Sequence, residues 1–386
     1  MRVEGLNVVV VGGATGGAAA ALLLARAGAR VTVLEKVANP KAVGAGIALA
    51  ENGLAVLESL GLGPAIAAVS VPLSAVRVVD ARGRVLFAPP GPDPVARMMR
   101  RSALQSVLLD ALEAEPLVEC RFGAEVTDVA PDGQVVARTG GRDVRLQADL
   151  VVGADGFHSQ VRARGGFPTR IGGSGITYVR ALVGPGLATG VEAWTEAGLF
   201  GSFPVPDGTY VYASARSPLC RRAADHADLA AFRAAWARVY PPSAPVLDGV
   251  RWWGDLLVNR VWTVHCRRWV NGRLVLLGDA AHAMPPNLGQ GANSALVDAA
   301  VLLDALRRCD DVAAALAAYE ARRQPAVRRV ASQSARLGRL AELTSPILRG
   351  LRDRLVMRIA QRLARESDLS AVLQEPSDAL RAIGRA

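Results

Sequence analysis

The residues best suited to chemistry lie at 278–293, where the chain reads Gly-Asp-Ala-Ala-His-Ala-Met-Pro-Pro-Asn-Leu-Gly-Gln-Gly-Ala-Asn. The apolar run 274–277 before this loop predicts a buried strand, and the Ala- and Leu-rich pattern at 292–306 predicts a helix. A strand, an irregular loop and a helix N-terminus direct backbone N–H groups and a positive dipole toward one point. We therefore predict that the 278–293 loop forms part of a cofactor site.

The N-terminus has the pattern of a dinucleotide-binding βαβ unit. Residues 7–11 predict a buried strand, 18–27 a helix and 30–35 a second strand, and 12–17 read Gly-Gly-Ala-Thr-Gly-Gly. This spacing is typical of the dinucleotide fingerprint, whose glycines lie between the first strand and the helix. A purely structural βαβ unit is the alternative interpretation.

Individual residues of this unit have separate predicted roles. Gly12 allows the tight turn, and Gly17 lets the helix and the strand approach closely. Glu35 ends the second strand, where it can accept hydrogen bonds from a ribose hydroxyl. Ala14 occupies the position of the middle glycine, and its single methyl group is a small departure from the fingerprint.

A third pattern occurs in the middle of the chain, where the strand predicted at 148–153 ends in Ala-Asp-Gly. An acidic residue and a glycine directly after a buried strand indicate a backbone-lined anion or ribose site. An ordinary Asp-Gly turn is the simpler alternative for this motif on its own.

Composition limits the classes of partner. The formal charge is +10, and the pI is ≈ 10.2, which would be compatible with nucleic-acid binding. However, Lys36 and Lys41 are the only lysines, and the arginines are spread along the chain, so a general arginine bias explains the charge better. We expect no nucleic-acid partner, although the charge would attract anionic substrates or nicotinamide phosphates.

Cysteine and histidine usage excludes other site types. The four cysteines form no C-x-x-C pair, and the four histidines have no metal-ligand spacing, so we expect no metal and a reducing, cytoplasmic location. The uncharged run 8–25 is interrupted by glycines and matches a strand, turn and helix better than a membrane span. We therefore expect no stable membrane association.

The remaining segments complete the predicted architecture. Predictions between the motifs are a loop at 44–49, helices at 51–60 and 101–115, a hairpin at 76–88, a turn at 91–94, and strands at 118–129 and 134–146. Predictions after residue 170 are strands at 176–183, 190–194, 199–203, 209–215, 252–258 and 261–266, and helices at 225–239, 312–340 and 346–366.

These elements predict an α/β protein with a Rossmann-like dinucleotide-binding domain and an inserted, mainly antiparallel β-sheet domain. The nucleotide-binding domain is predicted to be discontinuous, at 1–74, 97–170 and 267–340. The substrate-binding sheet is predicted at 75–96 and 171–266, and a C-terminal helical segment at 341–386.

The three motifs, with GADGFHSQVR at 153–162 as the second, stand in a fixed order around the predicted sheet insertion. Together they resemble the FAD-dependent monooxygenases of the para-hydroxybenzoate hydroxylase type, the single-component aromatic hydroxylases. The resemblance covers nearly the whole chain and implies the glutathione-reductase-like flavoprotein fold. The cofactor-binding residues that it implies are Gly12, Ala14, Thr15, Gly16, Gly17, Glu35, Lys36, Arg101, Gln105, Asp155, Gly156, Arg162, Gly278, Asp279, Pro286, Gly289, Gly291, Ala292 and Asn293.

The resemblance also implies the chemistry. NAD(P)H would reduce FAD, O₂ would form a flavin C4a-hydroperoxide, and its distal oxygen would pass to an aromatic or polycyclic small molecule. No protein nucleophile is required, so catalysis is assigned to the loop around the flavin ring, at Pro286, Gly289, Gln290 and Gly291. The helix N-terminus after Gly289 would stabilise negative charge on the reduced flavin.

The substrate pocket is predicted between the inserted sheet and the flavin. The candidate contact residues are Arg180, Trp194, Phe203 and Tyr212, although aromatic residues in such a sheet often belong to its core. His282 is expected to pack within its loop. An epoxidase, a dehydrogenase or reductase, and a non-oxygenating FAD-binding protein remain alternatives, and the oligomeric state, monomer or homodimer, is left open. A flavin halogenase is disfavoured because the W-x-W-x-I-P motif is missing.

Overall fold

The computed structural model describes residues 3–40, 45–74, 76–88, 94–356 and 374–384. Its strands are β1 Asn7–Val11, β2 Arg30–Glu35, β3 Gly46–Ala50, β4 Ser70–Ser74, β5 Arg77–Asp80, β6 Val85–Phe87, β7 Pro94–Arg100, β8 Val118–Phe122, β9 Glu125–Val129, β10 Gln134–Thr139, β11 Arg142–Gln147, β12 Leu150–Gly153, β13 Thr169–Val183, β14 Val191–Thr195, β15 Gly198–Val205, β16 Gly208–Ser214, β17 Leu257–Cys266, β18 Val270–Asn271 and β19 Leu274–Leu276.

The helices alternate with the strands near the N-terminus and dominate after β19. They are α1 Thr15–Arg26, α2 Glu51–Ser59, α3 Gly63–Ala68, α4 Arg101–Glu113, α5 Gln160–Arg164, α6 Pro218–Asp225, α7 Leu229–Val239, α8 Ala244–Asp248, α9 Asp279–His282, α10 Gln290–Arg308, α11 Val312–Ala341, α12 Pro346–Leu351 and α13 Ser377–Ile383. A π-helical turn at Arg352–Val356 follows α12.

A mostly parallel sheet forms the nucleotide-binding part, in the strand order β18–β19–β12–β1–β2–β8 among the described residues. The valines of β1 are almost fully buried because helices cover the sheet, which explains their continuous apolar run. The strands β12, β1 and β2 run parallel and in register. Their carboxyl ends therefore lie side by side, and two of the three predicted motifs follow β1 and β12 directly.

A second large sheet has the order β17–β13–β16–β15–β14–β5–β6 within the described chain. Its neighbouring strands are antiparallel except for β14 and β5, which are parallel. One face packs against α6, α7 and α8, where Phe200, Phe232 and Trp236 form a buried cluster. The opposite face is turned toward the nucleotide-binding part.

Two smaller antiparallel sheets complete the described fold. The strands β3, β7 and β4 form one sheet, with β7 in the middle. The strands β11, β10 and β9 form the other. The long helices α10 and α11 pack together, and α10 also packs on α1 and α2.

Several predicted elements were wrong in their boundaries. The loop predicted at 44–49 contains β3, because the backbone of 46–50 pairs with β7; residue 44 lies outside the described residues. The predicted strand 118–129 is two strands, separated at Gly123 with φ +69°, and 134–146 is a hairpin turned by Gly140 and Gly141, whose φ angles are also positive.

Turn geometry also changed the predictions in the second sheet. The helix predicted at 225–239 is divided between α6 and α7, because Ala227 adopts φ +56° and Asp228 caps α7. The strands predicted at 252–258 and 261–266 are the single strand β17, preceded by a 3₁₀ turn at Trp253–Asp255.

Three further predicted elements have different bounds in the structure or lie partly outside the described residues. The helix predicted at 292–306 starts at Gln290 and ends at Arg308. The helix predicted at 346–366 is α12 and the π-helical turn as far as 356, and its remainder lies outside the described residues. The turn predicted at 91–94 falls outside them except for residue 94, which begins β7.

Candidate active site

A single cleft separates the carboxyl ends of the parallel strands from the second large sheet, and it encloses about 1590 Å³. Pockets for one small ligand usually occupy about 300–1,000 Å³, so this cleft has room for a large cofactor beside a substrate. We call the wall formed by 12–17, 153–162 and 278–293 the nucleotide wall. We call the wall formed by the cleft-facing residues of β13, β14, β15 and β16 the sheet wall.

The cleft brings most of the predicted site residues together. Those that line it are Ala14, Thr15, Gly16, Arg101, Gly156, Gly278, Asp279, Pro286, Gly289, Gln290, Gly291, Ala292, Asn293, Arg180, Trp194, Phe203 and Tyr212. The predicted residues that do not line it are Gly12, Gly17, Glu35, Lys36, Gln105, Asp155 and Arg162.

The glycine-rich turn after β1 has no space for side chains at two positions. A Cβ on Gly12, which has φ +100°, would lie 2.5 Å from the Ala154 carbonyl oxygen. A Cβ on Gly17 would lie 1.9 Å from the carbonyl oxygen of Gly12. These contacts explain why the turn and the start of α1 need glycine. They also leave the first N–H groups of α1, which has no side-chain cap, near the cleft.

Glu35 and Gln105 stabilise this turn through hydrogen bonds to its backbone. The Glu35 carboxylate accepts hydrogen bonds from the backbone N–H groups of Gly13 and Val37, both at 2.9 Å. The Gln105 amide donates to the Gly13 carbonyl oxygen at 2.8 Å. A carboxylate has about four acceptor positions, so Glu35 retains capacity for a ribose hydroxyl. Lys36 is exposed away from the cleft.

Asp155 and Arg162 hold the second motif in place. Asp155 Oδ2 accepts hydrogen bonds from the backbone N–H groups of Gln160 at 2.6 Å and Val161 at 3.1 Å, at the start of α5. Burial raises the pKa of Asp155, although these and other hydrogen bonds oppose the shift. Arg162 is buried and donates to the carbonyl oxygens of Ala280, at 2.8 Å, and Phe157. Arg162 therefore connects the second motif to the 278–293 loop.

The start of the 278–293 loop is fixed by a buried charge network. Gly278 has φ +58°, and its N–H donates to Asp298 Oδ2 at 3.0 Å. The same carboxylate contacts His282 Nε2 at 2.6 Å and Arg323 Nε at 2.8 Å. Burial alone would raise the pKa of Asp298, but the charges of His282 and Arg323 and the hydrogen bonds lower it to about 2. His282 also packs against Trp269, so its contacts support the expected structural role.

The end of the loop presents a helix N-terminus to the cleft. Gly289 has φ +64° and precedes α10, which has no side-chain cap. The first N–H groups of a helix have no partner within the helix, so those of Gln290, Gly291 and Ala292 can bind an anionic or acceptor group. Asn293 anchors this end: its side chain accepts from Ala50 N–H at 3.0 Å and donates to the Gly289 carbonyl oxygen at 2.8 Å.

The sheet wall is organised in cross-strand rows. Arg180 of β13 lies opposite Tyr212 of β16, Tyr212 opposite Gly201 of β15, and Gly201 opposite Glu192 of β14. A neighbouring row contains Tyr178, Ser214, Leu199 and Trp194. Because alternate residues of a strand share a face, the four predicted substrate residues all lie on this wall. Phe203 stacks on Tyr212, with ring centroids 6.0 Å apart.

The part of the chain that the structure describes has neither a clustered set of metal ligands nor a helix that could span a membrane. No three His, Cys, Asp or Glu side chains in this part of the chain are grouped as a metal site. None of its helices combines the length and apolar character needed to cross a bilayer.

Comparison with known proteins identifies the family. A family model described as "FAD binding domain" matches residues 5–334. The aurachin C monooxygenase/isomerase of Stigmatella aurantiaca is 31% identical over 91% of this chain and 94% of that protein. The kynurenine 3-monooxygenase of Salinispora arenicola is 32% identical over 90% of this chain and 81% of that protein. The solved tetrameric form of 2-methyl-3-hydroxypyridine-5-carboxylic acid oxygenase is 27% identical, with a TM-score of 0.77 over 94% of this chain and 96% of that one.

The chain belongs to the FAD-dependent monooxygenases of the para-hydroxybenzoate hydroxylase type. This confirms the fold class, the enzyme class and the requirement for FAD, NAD(P)H and O₂ that the motifs predicted.

Sequence reasoning missed several residues that line the cleft of this monooxygenase. They are Tyr178, Glu192 and Tyr210, together with Gly46, Ile47, Ala48 and Ala50 of β3. The period-2 alternation of strands would have placed Tyr178 on the face of Arg180, Glu192 on that of Trp194 and Tyr210 on that of Tyr212. The strand β3 gave no such signal, because its sequence, Gly-Ile-Ala-Leu-Ala, does not alternate in polarity.

Proposed function

We propose that this monooxygenase holds FAD along the nucleotide wall and hydroxylates a small aromatic or polycyclic substrate held against the sheet wall. The observation that carries the proposal is the cleft itself. It joins a backbone cradle suited to a dinucleotide with an aromatic-rich sheet face, in one volume too large for a single small ligand.

The residues of the nucleotide wall fit FAD. The glycine-rich turn and the uncapped start of α1 supply backbone N–H groups for a pyrophosphate. Arg101 and Asp279 line the cleft without a hydrogen bond to another described side chain, so both are free for polar groups of the cofactor. The uncapped start of α10 would face the flavin ring.

Bound FAD supplies the redox chemistry with NAD(P)H and O₂, while the chain supplies binding, orientation and electrostatics. The N–H groups of Gln290, Gly291 and Ala292 would stabilise negative charge on the ring, with a helix dipole of about half a positive charge behind them. The Asp298 network keeps Gly278 in its left-handed conformation and so sets the direction of the loop. The apolar sheet wall excludes water from the substrate.

The sheet wall is assigned to the substrate. Arg180, Trp194, Phe203 and Tyr212 are proposed contacts. With this assignment, each segment of the domain division predicted from the sequence has a proposed role. Segments 75–96 and 171–266 would bind substrate, segments 1–74, 97–170 and 267–340 would bind FAD, and 341–386 would form the C-terminal part. The wide separation of the four cysteines in the sequence, with no C-x-x-C pair, favours a cytoplasmic location, where NAD(P)H is available. A small molecule, and neither a nucleic acid nor a membrane, is the proposed partner.

The proposal is tested with protein reconstituted with FAD. NADH or NADPH oxidation is followed with a panel of phenols, quinolones and polyketides under ¹⁸O₂, and the products are analysed by mass spectrometry. Substrate-stimulated nicotinamide oxidation and one labelled oxygen atom on a product ring are expected. Nicotinamide oxidation without label in any product would indicate a dehydrogenase or reductase, and label at an isolated double bond an epoxidase. Bound FAD without nicotinamide turnover would indicate a non-oxygenating binding protein.

A further inference from the structure

One cross-strand row of the sheet wall contains an unusual gap. On four successive strands the row reads Arg180, Tyr212, Gly201 and Glu192, all in direct register. Neighbouring strands lie about 4.8 Å apart, so the backbones of Tyr212 and Glu192 are separated by about 10 Å. A glycine occupies the position between them.

The gap is filled by the tyrosine ring. A Cβ on Gly201 would lie 2.4 Å from Cζ of Tyr212 and 2.6 Å from its hydroxyl oxygen. Any side chain at this position would therefore displace the ring. Gly201 has no positive φ, so space and not backbone conformation is the reason for glycine here. The ring crosses the strand β15 over Gly201 and reaches the carboxylate of Glu192.

The hydrogen-bond polarity of this pair is that of an ionised Glu192, whose two oxygens can only accept. Trp194 Nε1 donates to Glu192 Oε1 at 2.6 Å, and an indole can only donate. The Tyr212 hydroxyl donates to the other oxygen, Oε2. Glu192 forms no salt bridge with a described residue, so these two donors are its partners within the described chain. The proton of Tyr212 is thus directed at Glu192, and its oxygen is left as an acceptor.

Burial raises the pKa of Glu192, whereas the hydrogen bonds from Trp194 and Tyr212 lower it and favour the carboxylate form. Burial, and then the Glu192 charge, raise the pKa of Tyr212 well above its ordinary value, so the hydroxyl keeps its proton at neutral pH. Tyr212, Glu192 and Trp194 all line the cleft. A ligand against the sheet wall therefore meets a tyrosine oxygen that accepts and does not donate.

We propose that Tyr212, positioned by Glu192 and Gly201, selects ring substrates that carry an N–H or O–H donor over substrates of the same shape that carry an acceptor. This inference rests on the proposed function, because it assigns a specificity to the same substrate site. Tyr212 would contact the substrate, whereas Glu192 and Gly201 are positioning residues.

The test uses two ring compounds of nearly identical shape. 4-Quinolone carries a ring N–H, and 4-chromone has a ring oxygen in its place. Their dissociation constants are measured by calorimetry with FAD-reconstituted protein, so that no turnover is needed. Leaving a polar group unpaired usually costs about 1–3 kcal/mol, so we expect the quinolone to bind about tenfold more tightly.

Three variants examine the origin of the preference. Tyr212→Phe should remove it. Glu192→Gln should reverse it, because Trp194 holds the amide oxygen and the amide N–H₂ then faces Tyr212, which turns the tyrosine proton into the cleft. Gly201→Ala should abolish it by displacing the ring. Gly184→Ala is the matched control: the added Cβ meets nothing within 4 Å, and the preference should persist.

The outcomes separate this inference from the proposed function. Equal binding of the two compounds, binding of neither, or an unchanged preference in Tyr212→Phe would overturn the inference. An unreversed preference in a folded, FAD-loaded Glu192→Gln protein would overturn the positioning role of the carboxylate. The proposed function is judged separately by ¹⁸O incorporation from the wider panel, which these results leave untouched.

Discussion

The pKa values of the buried carboxylates behind the two walls of the cleft are shifted in opposite directions. Behind the nucleotide wall, Asp298 is fully buried, but it is paired with Arg323 and His282, and its pKa is lowered to about 2. Behind the sheet wall, Glu342 accepts a hydrogen bond from Ser214 and has no salt bridge with a described residue. Burial raises the pKa of Glu342 to about 7, although the Ser214 hydroxyl and the Arg216 charge oppose this.

The difference reflects what each wall must hold. In the proposed function, the nucleotide wall would bind FAD through backbone groups, so its loops would need fixed conformations, and an ionised Asp298 provides one anchor for the Gly278 turn. The sheet wall would bind the substrate through side chains on a rigid sheet, so its backbone would need no such anchor. The pKa values of its buried carboxylates Glu192 and Glu342 are raised by burial, and these two groups orient indole and hydroxyl groups instead.

The largest effect should come from breaking the ionic anchor. Asp298→Ala would leave the fully buried guanidinium of Arg323 without its charged partner, and we expect the free energy of unfolding to fall by about 3–5 kcal/mol. FAD content should fall with it, because the Gly278 turn loses its acceptor. Urea unfolding and flavin absorbance measure the two effects. Asp304→Ala removes a carboxylate whose partners Arg308 and Arg322 are exposed, and it should cost less than about 1 kcal/mol.

The pH dependence of this anchor has a defined sign. The pKa of Asp298 is lower in the folded protein than in the unfolded chain, so the stability it contributes is complete above the unfolded value, 3.8. This contribution is lost as the pH falls toward about 2. The stability difference between wild type and Asp298→Ala should therefore narrow below pH 4. A difference that stayed constant between pH 4 and pH 2 would contradict the assignment.

The second prediction concerns Glu342, the carboxylate behind the sheet wall, whose pKa is shifted in the opposite direction to that of Asp298. The pKa of Glu342 is higher in the folded protein, so between about 4.5 and 7 the folded state holds a proton that the unfolded chain has lost, and stability falls as the pH rises. Glu342→Gln should therefore stabilise the protein by about 2–4 kcal/mol at pH 8 and by little at pH 5. Urea unfolding at both pH values tests this. Glu125→Gln, at an exposed position, should change neither value.

Asp279→Ala tests the nucleotide wall without disturbing its fold. The Asp279 side chain is exposed to the cleft and has no hydrogen bond to another described side chain, so its loss should leave the free energy of unfolding of the FAD-free protein unchanged. A hydrogen bond to a charged group contributes about 1.5–3 kcal/mol, so FAD should bind about 10- to 150-fold more weakly. Fluorescence titration with FAD measures this. Wild-type affinity in the variant would exclude the assigned contact; Asp225→Ala, exposed at the end of α6, is the control.

The nucleotide wall was the easier one to predict from the sequence, because its function depends on backbone geometry. Gly12 and Gly17 have no space for a side chain, so the backbone geometry of this turn requires glycine, and the glycines in the sequence indicate the turn. The strands β1 and β2 accordingly have the predicted bounds. Glu35 was placed correctly at the end of β2, but its hydrogen bonds to the backbone of its own turn could not be read from its position.

The sheet wall was harder to predict, because its site depends on register between strands distant in sequence. Arg180, Trp194, Phe203 and Tyr212 were selected as individual residues, and all of them line the cleft. Glu192 was missed, since only the pairing of β14, β15 and β16 shows that Tyr212 reaches it over Gly201. The Asp298–Arg323 pair was missed for the same reason, because it joins α10 to α11.

The smallest predicted effect distinguishes the two faces of the second large sheet within one strand. Phe203 and Phe200 both lie on β15, but Phe203 stacks on Tyr212 in the cleft, whereas Phe200 packs against Trp236 on the far face. Phe203→Leu removes an aromatic contact of about 1 kcal/mol, so the KM of an aromatic substrate should rise about fivefold while FAD affinity is unchanged. Phe200→Leu should instead lower the free energy of unfolding by about 1 kcal/mol and leave KM unchanged. Steady-state kinetics and urea unfolding of both variants measure these effects. If the two variants changed KM equally, the sheet wall would not be the substrate surface, because only one of these rings faces the cleft.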